Sequence, residues 1–414
     1  MDCKHRFACS LAFLLGLAGP SWPAEPSSAA ALRVDEDDPH CSDETGKPFC
    51  TLGAAIRAAN ARPGPDVIDL AENQIFSLTQ PATRNVTEGD TGLPAIASDI
   101  TIHGHGSIVE RIRANLTPPF RLFWINAGAS LSLDNLTIRG GSSAPGLDGA
   151  GLYNLGRTRL ERVTVTENVA GDDGGGIRND GQIEIVGCTI SFNNASGPGG
   201  TGGGLYNVPV GGDGAALVSG TAFIGNRAGD HGGAIFNSSK LTAVNTTFSG
   251  NLATHNGGGI RNVATVHFNN VTFFANQGGV QGGNISNIGT LTLSNSVVAG
   301  GVAPVSPDCE EIVTSEGYNL IQNRANCTID GTETGLLTGV DPMLSPLQDM
   351  DGGLNKMHRP ATKSPIVDAG NPAPPGGGNH ACEAVDQRGA TRPKDGNHDS
   401  IAICDMGAAE IGGN

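Results

Sequence analysis

The sequence predicts an all-β fold, a right-handed parallel β-helix with a short N-terminal capping helix and an irregular C-terminal module. Three observations carry this. A glycine phrase recurs as GAGLYN at Gly149–Asn154, GGGIRN at Gly174–Asn179, GGGLYN at Gly202–Asn207, GGAIFN at Gly232–Asn237, GGGIRN at Gly257–Asn262 and GGNISN at Gly282–Asn287. Its asparagines stand 25, 28, 30, 25 and 25 residues apart, a near-fixed period that marks stacked supersecondary units. A second phrase of alternating apolar and small polar residues also ends in asparagine, as in VTVTEN (Val163–Asn168), TAFIGN (Thr221–Asn226) and VTFFAN (Val271–Asn276).

Aligning on that last asparagine exposes columns. Val165, Ile190, Phe223, Phe248 and Phe273 share one, and Leu160, Ile185, Val218, Ala243 and Phe268 another. Between them run Thr164, Thr189, Ala222, Thr247 and Thr272. Alternation of period 2 with β-branched and aromatic residues is a strand signal. Short strands repeating in one direction pair in parallel with their equivalents about 4.8 Å away, and such crossovers are right-handed. A bend column, Asn135, Asn245, Asn270 and Asn295, suits the left-handed backbone region and suggests amides stacked from coil to coil. The two long repeats hold extra polar sequence at Ser196–Thr201 and Val208–Gly214, expected as loops on one side.

At the ends the repeat lapses. Residues 1–30 read as a secretory signal, with Lys4 and Arg6 before the apolar Phe7–Leu17 and cleavage after Ala24 or Ala30. Residues 31–66 form an N-terminal capping segment, in which Thr51 caps a helix burying Leu52, Ala55, Ile56 and Ala59. Repeats fill 67–308, and a proline- and aspartate-rich C-terminal module fills 309–414. An exported chain permits the local disulfides Cys41–Cys50, Cys309–Cys327 and Cys382–Cys404. Cys188, in a buried column, reads as a small hydrophobe.

With a net charge of −16, nucleic acid and anionic membranes are poor partners. No stretch of the mature chain is long enough to span a bilayer as a helix. The chain is expected to be a monomer without cofactor. Calcium enters only through the acidic run Asp35–Asp38, and HGH at His103–His105 is a thin metal signal.

Family resemblance becomes visible here. Cys50–Asn60 resembles the CSLREA-type N-terminal domain, with Gly53 and Ala54 in place of its Arg-Glu pair. SPIVDAG (Ser364–Gly370), DQRGATRP (Asp386–Pro393) and CDMGAAE (Cys404–Glu410) resemble the C-terminal block of bacterial choice-of-anchor surface proteins. The GGAI and FxxN phrases resemble the polymorphic outer-membrane protein repeat. These resemblances imply a right-handed β-helix, secreted or on the outer-membrane surface, with adhesin-like or passenger-like roles. Neither a membrane barrel nor a sorting tail follows Glu410, so they imply export more than a particular attachment.

Enzymes of this architecture need carboxylates projecting together from neighbouring coils. Glu161 and Glu184 do not share a column, and no acidic cluster emerges on the repeated strands. The reading leans to a binding or structural protein, with glycans or other surface proteins as partners. A polysaccharide lyase or glycosidase is the alternative. Two outward features remain. Asp230 and His231 should stack on His255 and Asn256, a histidine–carboxylate turn able to bind a metal or transfer a proton, against the simpler reading of a solvated turn. Tyr153, Arg178, Tyr206, Phe236, Arg261 and Ser286 should form an outward column, either a cation–π ladder or a platform for sugar rings.

Overall fold

The computed structural model describes residues 31–35, 49–85, 87–114, 116–209, 214–349 and 356–412. The expected signal sequence at residues 1–30, residues 36–38 of the acidic run and Cys41 lie outside these residues. The chain is a parallel β-helix. Each regular coil contributes four short strands, for example Ile235–Asn237, Lys240–Val244, Thr247–Ser249 and Leu252–Ala253. The first three join one parallel sheet of 28 strands, and the fourth a parallel sheet of six. Register follows the repeat without slippage: Ile177 pairs Leu205, which pairs Ile235, then Ile260 and Ile285.

The glycines answer two demands of this winding. Gly232 has φ +67°, and a Cβ there would lie 2.4 Å from the Ile235 carbonyl oxygen. At Gly233 a Cβ would lie 2.4 Å from the Gly258 oxygen of the next coil. One glycine makes the turn and the next lets the neighbouring turn approach.

Inside the tube the apolar columns stack as expected. Phe223 and Phe248 lie 5.2 Å apart between centroids, Phe248 and Phe273 4.3 Å, with planes within 10°. Phe268 meets Phe273 edge-on at 5.3 Å. Cys188 belongs to this core as a free, fully buried thiol, its pKa pushed up to about 12 by burial.

Both phrase asparagines also point inward, and each set forms a continuous amide ladder. In the first, Asn154 donates to Asn179 at 2.7 Å, and the relay continues through Asn207, Asn237, Asn262 and Asn287 at 2.7–2.8 Å. In the second, Asn168 donates to Asn193 and so on through Asn226, Asn251 and Asn276 at 2.8–3.0 Å. Every Nδ2 donates toward the later coil. In the second ladder each Oδ1 also accepts the backbone N–H of the earlier asparagine. Where the next coil has Gly301 instead of asparagine, Asn284 of the glycine phrase takes over and donates to Asp308. Asp308 ends the relay because a carboxylate only accepts. Its oxygens take Asn284 Nδ2, Gly301 N and Asn323 N. Burial raises its pKa to about 6 against those bonds.

The N-terminal helix spans Leu52–Asn60, with the Thr51 side chain accepting from Ala54 N. Leu52, Ala55, Ile56 and Ala59 are buried as expected. It packs on Leu32–Val34 and Asp66–Leu70, the first rungs. Asn60 ties it to the following segment, donating to Ala95 O and accepting from Ala97 N.

At the other end the parallel ladder outlasts the glycine phrase, running through Cys309–Ser315, Leu320–Ile321, Cys327–Gly331 and Leu337–Thr338. The Cys309–Cys327 disulfide ties these last rungs together. Cys382–Cys404 also forms. Cys50 is disulfide-bonded, and its expected partner Cys41 lies outside the described residues.

Two expectations need correction. The insertions do not share one side. Ser196–Thr201 follows the fourth strand, whereas Val208–Gly214 interrupts the corner between the first and second. The bend column does adopt left-handed backbone, φ 47–51° at Asn135, Asn245, Asn270 and Asn295, but its amides do not form a ladder. Instead Asn245, Asn270 and Asn295 receive the C-terminal segment, which folds back along the flank. Asn245 donates to Val385 O, Asn270 accepts from Glu383 N, and Asn295 accepts from Asn371 N. Beside this seam Thr247 donates to Gln387, Ser249 bonds His358, and Thr272 accepts from Ala408 N. Val297, Ala299, Leu320, Ile366 and Met406 make a small second core there.

The C-terminal block is knotted by its charges. Arg392 and Glu410 pair at 2.8 Å with both side chains fully buried. Asp386 accepts from Arg388 and from Glu410 N, and Asp405 accepts from Asp368 N and Ile411 N.

The ladder geometry predicts that Asn226→Ala destabilises the chain by about 3 kcal/mol, since it strands a buried backbone N–H and a side-chain donor of Asn193. Asp308→Asn should cost about 1–3 kcal/mol, because an NH2 would face the Asn323 N–H; urea denaturation of both variants checks this. At the seam, burial lowers the His358 pKa. The neutral ring accepts from Ser249 and donates to Ser345 O, so its contribution is complete above the ordinary imidazole range near 6.5 and is lost as pH falls below it. Protection factors against hydrogen exchange at Thr247–Ser249, corrected for the intrinsic pH dependence of exchange, should therefore fall between pH 7 and 5, and His358→Gln should flatten that dependence.

Candidate binding face

The first strand of each coil turns one residue outward between its inward aliphatic and inward asparagine. In register these are Tyr153, Arg178, Tyr206, Phe236, Arg261 and Ser286, as the repeat implied. The structure extends the column to Trp124 and Glu310. Sequence alignment missed both because Phe123–Ile125 and Cys309–Glu311 belong to coils without the glycine phrase. Their residual signal is an inward apolar residue followed by the outward one.

The column divides into a sealed and an accessible part. Trp124 and Tyr153 lie 4.6 Å apart, with the Arg121 guanidinium 4.9 and 5.2 Å from their centroids. Arg121 is fully buried, and that burial lowers its pKa to about 10. Tyr153 is only 8 % exposed, donates to Asp180 at 2.8 Å and has its phenol pKa raised, chiefly by burial. Arg178 is held between Tyr153 and Tyr206, 5.1 and 5.2 Å from their rings. It pairs with Asp180 at 2.8 Å and with Asp148. Burial works against its charge, but these partners outweigh it and raise its pKa. This half is a satisfied cation–π stack, and its groups are occupied by one another.

Beyond Arg178 the column opens over one pair of rings and closes again at Ser286 and Glu310, which are buried. Tyr206 and Phe236 are partly exposed and stack at 5.3 Å with planes 27° apart. Arg261 follows, bonded to Ser286 and 3.4 Å from Glu310.

The histidine turn forms as expected. Asp230 Oδ1 lies 2.8 Å from His255 Nδ1 and 3.3 Å from His231 Nε2. Asn256 N donates to His231 Nδ1, which assigns the proton of that ring to Nε2, facing Asp230. Burial lowers the His231 pKa; Asp230 opposes this, while Arg261 and His255 reinforce it. The turn immediately precedes the first strands Ile235–Asn237 and Ile260–Asn262, which carry Phe236 and Arg261 of the column. Among the described residues no group of three or more His, Cys, Asp or Glu has the arrangement to hold a metal.

The absence of a carboxylate cluster on the strands is overturned. Glu161 and Glu184 indeed lie in different columns. However, Asp134 stacks directly on Glu161, and His103 and Asp69 continue the same column. The bend column held the clue. Completing Asn135, Asn245, Asn270 and Asn295 with Arg162, Gly187 and Gly220, which also have positive φ, would have put Asp134 and Glu161 one place before adjacent corners.

Among the described residues no helix is long and apolar enough to cross a membrane. No curated protein matches the chain. Residues 220–238 and 245–263, which carry two successive asparagine and glycine phrases, match the Chlamydia polymorphic membrane protein repeat.

Proposed function

We propose that the chain is an exported bacterial β-helix protein, secreted or displayed at the outer-membrane surface, with an adhesin-like or passenger-like role. Its accessible column binds glycans. The observation that carries this is the Tyr206–Phe236 pair, two partly exposed rings stacked at 5.3 Å on a flank whose turns are built of glycine. Tyr206 lies between Arg178 and Phe236, so the outward edges of the two rings meet the C–H groups of a sugar. Arg261 and the Asp230–His231–His255 turn stand beside the rings and offer donors and acceptors to hydroxyl groups. The repeat match supports the surface setting. The Thr51-capped helix with its Asn60 tie supports a CSLREA-type N-terminal domain. The Arg392–Glu410 knot, built from the DQRGATRP and CDMGAAE stretches, supports a choice-of-anchor type C-terminal block.

A glycan array read with the purified chain tests this. Tyr206→Ala and Phe236→Ala should each cut retention on the bound glycans about 10-fold or more, as expected when one aromatic contact worth about 1.5 kcal/mol is lost. His255→Ala should weaken it less. Retention unchanged in both aromatic variants rejects this face.

A further inference from the structure

The C-terminal block holds a cleft of about 940 Å³, within the size range of ligand sites. Arg359 and Thr362 line it from one segment, and Lys394, Asp395 and His398 from another. Other arginines of this block are matched to carboxylates, Arg388 to Asp386 and Arg392 to Glu410. Arg359 and Lys394 differ. Among the described residues no ion pair or side-chain hydrogen bond engages either cation. Asp395 does not serve them, because its two oxygens accept from Asp399 N and Ser400 N of its own loop at 3.1 and 3.0 Å. A chain of net charge −16 thus keeps two unmatched cations on the wall of one cleft.

Both cations rise from fixed backbone. Arg359 N donates to Ser345 Oγ at 3.0 Å, and Arg359 O accepts from Ser345 N at 2.8 Å. Lys394 N donates to Glu410 Oε1 at 2.7 Å, and Lys394 bridges to Ile403. The loop that follows is pinned by Asp368 Oδ2, which accepts from Gly396 N and Asn397 N at 3.0 and 2.8 Å. These anchors are in place before any ligand arrives, which lowers the ordering cost of binding.

We propose that this cleft binds a short acidic oligosaccharide by its carboxylate or sulfate group. The planar fork of Arg359 takes two oxygens of the anion at once, and Lys394 adds a point charge. Thr362 and the exposed His398 meet hydroxyl groups, while Pro360, Pro393 and Ile411 supply apolar wall for C–H faces. A peptide laid along the cleft as an added strand is disfavoured, because Pro360 and Pro393 have no N–H to pair with it. The field of the whole chain repels a long polyanion, which favours a ligand of few sugars with its charge on one group. The cleft shares no residue with the aromatic column and does not rest on that face binding glycans.

Isothermal titration of the purified full chain with trigalacturonate, sulfated maltotriose, neutral maltotriose and a triglutamate peptide tests this. At least one of the two acidic sugars should bind, and the one that binds identifies the anionic group. Arg359→Ala and Lys394→Ala should each weaken that binding about 10-fold or more. Both variants should keep the urea midpoint of the parent chain, since neither side chain holds another in place. Arg359→Lys, which keeps the charge without the fork, should retain part of the affinity. Tyr206→Ala and Phe236→Ala should leave it unchanged, which separates this cleft from the aromatic column. Four outcomes overturn the proposal: no binding of either acidic sugar, equal binding of neutral maltotriose, binding of triglutamate as tight as that of the sugars, or affinity undiminished in both cation variants.

Discussion

The hydrogen bond from one asparagine amide to the next governs this molecule. An amide buried in an apolar tube is tolerable only when its donors and acceptors are all engaged. In the second ladder, Asn193 meets that condition with four bonds: two accepted from Asn168, one donated to Asn226 and one donated to Val165 O. Such satisfaction exists only if the coil above presents the same amide in the same place. A slip of one residue would turn the ladder asparagines outward and their outward neighbours inward. Register is therefore specified by polar chemistry, while the stacked phenylalanines and aliphatics supply the bulk of the burial.

Shared faces follow from that register. Because each coil repeats the direction of every side chain, the outward residues line up in columns, and chemistry that one short strand cannot assemble arises by stacking. The solenoid uses this in two ways. Around Arg178 the column closes on itself, with rings, guanidinium and carboxylates consuming each other's interactions. Around Tyr206 and Phe236, and around Asp134 and Glu161, the column keeps surface facing the solvent.

The winding was legible in the sequence wherever a coil kept both phrases. From Gly149 to Asn287 the period, the inward columns and the outward column Tyr153–Ser286 all follow from alignment by eye, and so does the Thr51-capped helix. Legibility failed where the phrases thinned. Trp124 and Asp134 lie on early coils whose glycine phrase is absent, so the aromatic column seemed shorter and the carboxylates unpaired. The rungs Cys309–Ser315 and Cys327–Gly331 keep the pairing without the phrase, because a strand needs backbone hydrogen bonds and an inward apolar residue, not a particular turn. The bend asparagines were recognised for their backbone but not for their partners. A side chain that bonds a segment more than a hundred residues away, as Asn270 does with Glu383 N, leaves no local trace.

The one-way relay of amides makes the tube a polar object with two unlike ends. It can lengthen or shorten by whole turns in its middle, since each interior turn receives and passes on the same bond. The turn that ends the second ladder has no such freedom, although parallel rungs continue past it to Leu337–Thr338. It must bring a group that only accepts, and Asp308 is that stop; a copied interior turn placed after it would meet a carboxylate where it needs an amide. Change in length during descent is thereby confined to the interior, and the flank that the C-terminal segment grips keeps a constant distance from the end.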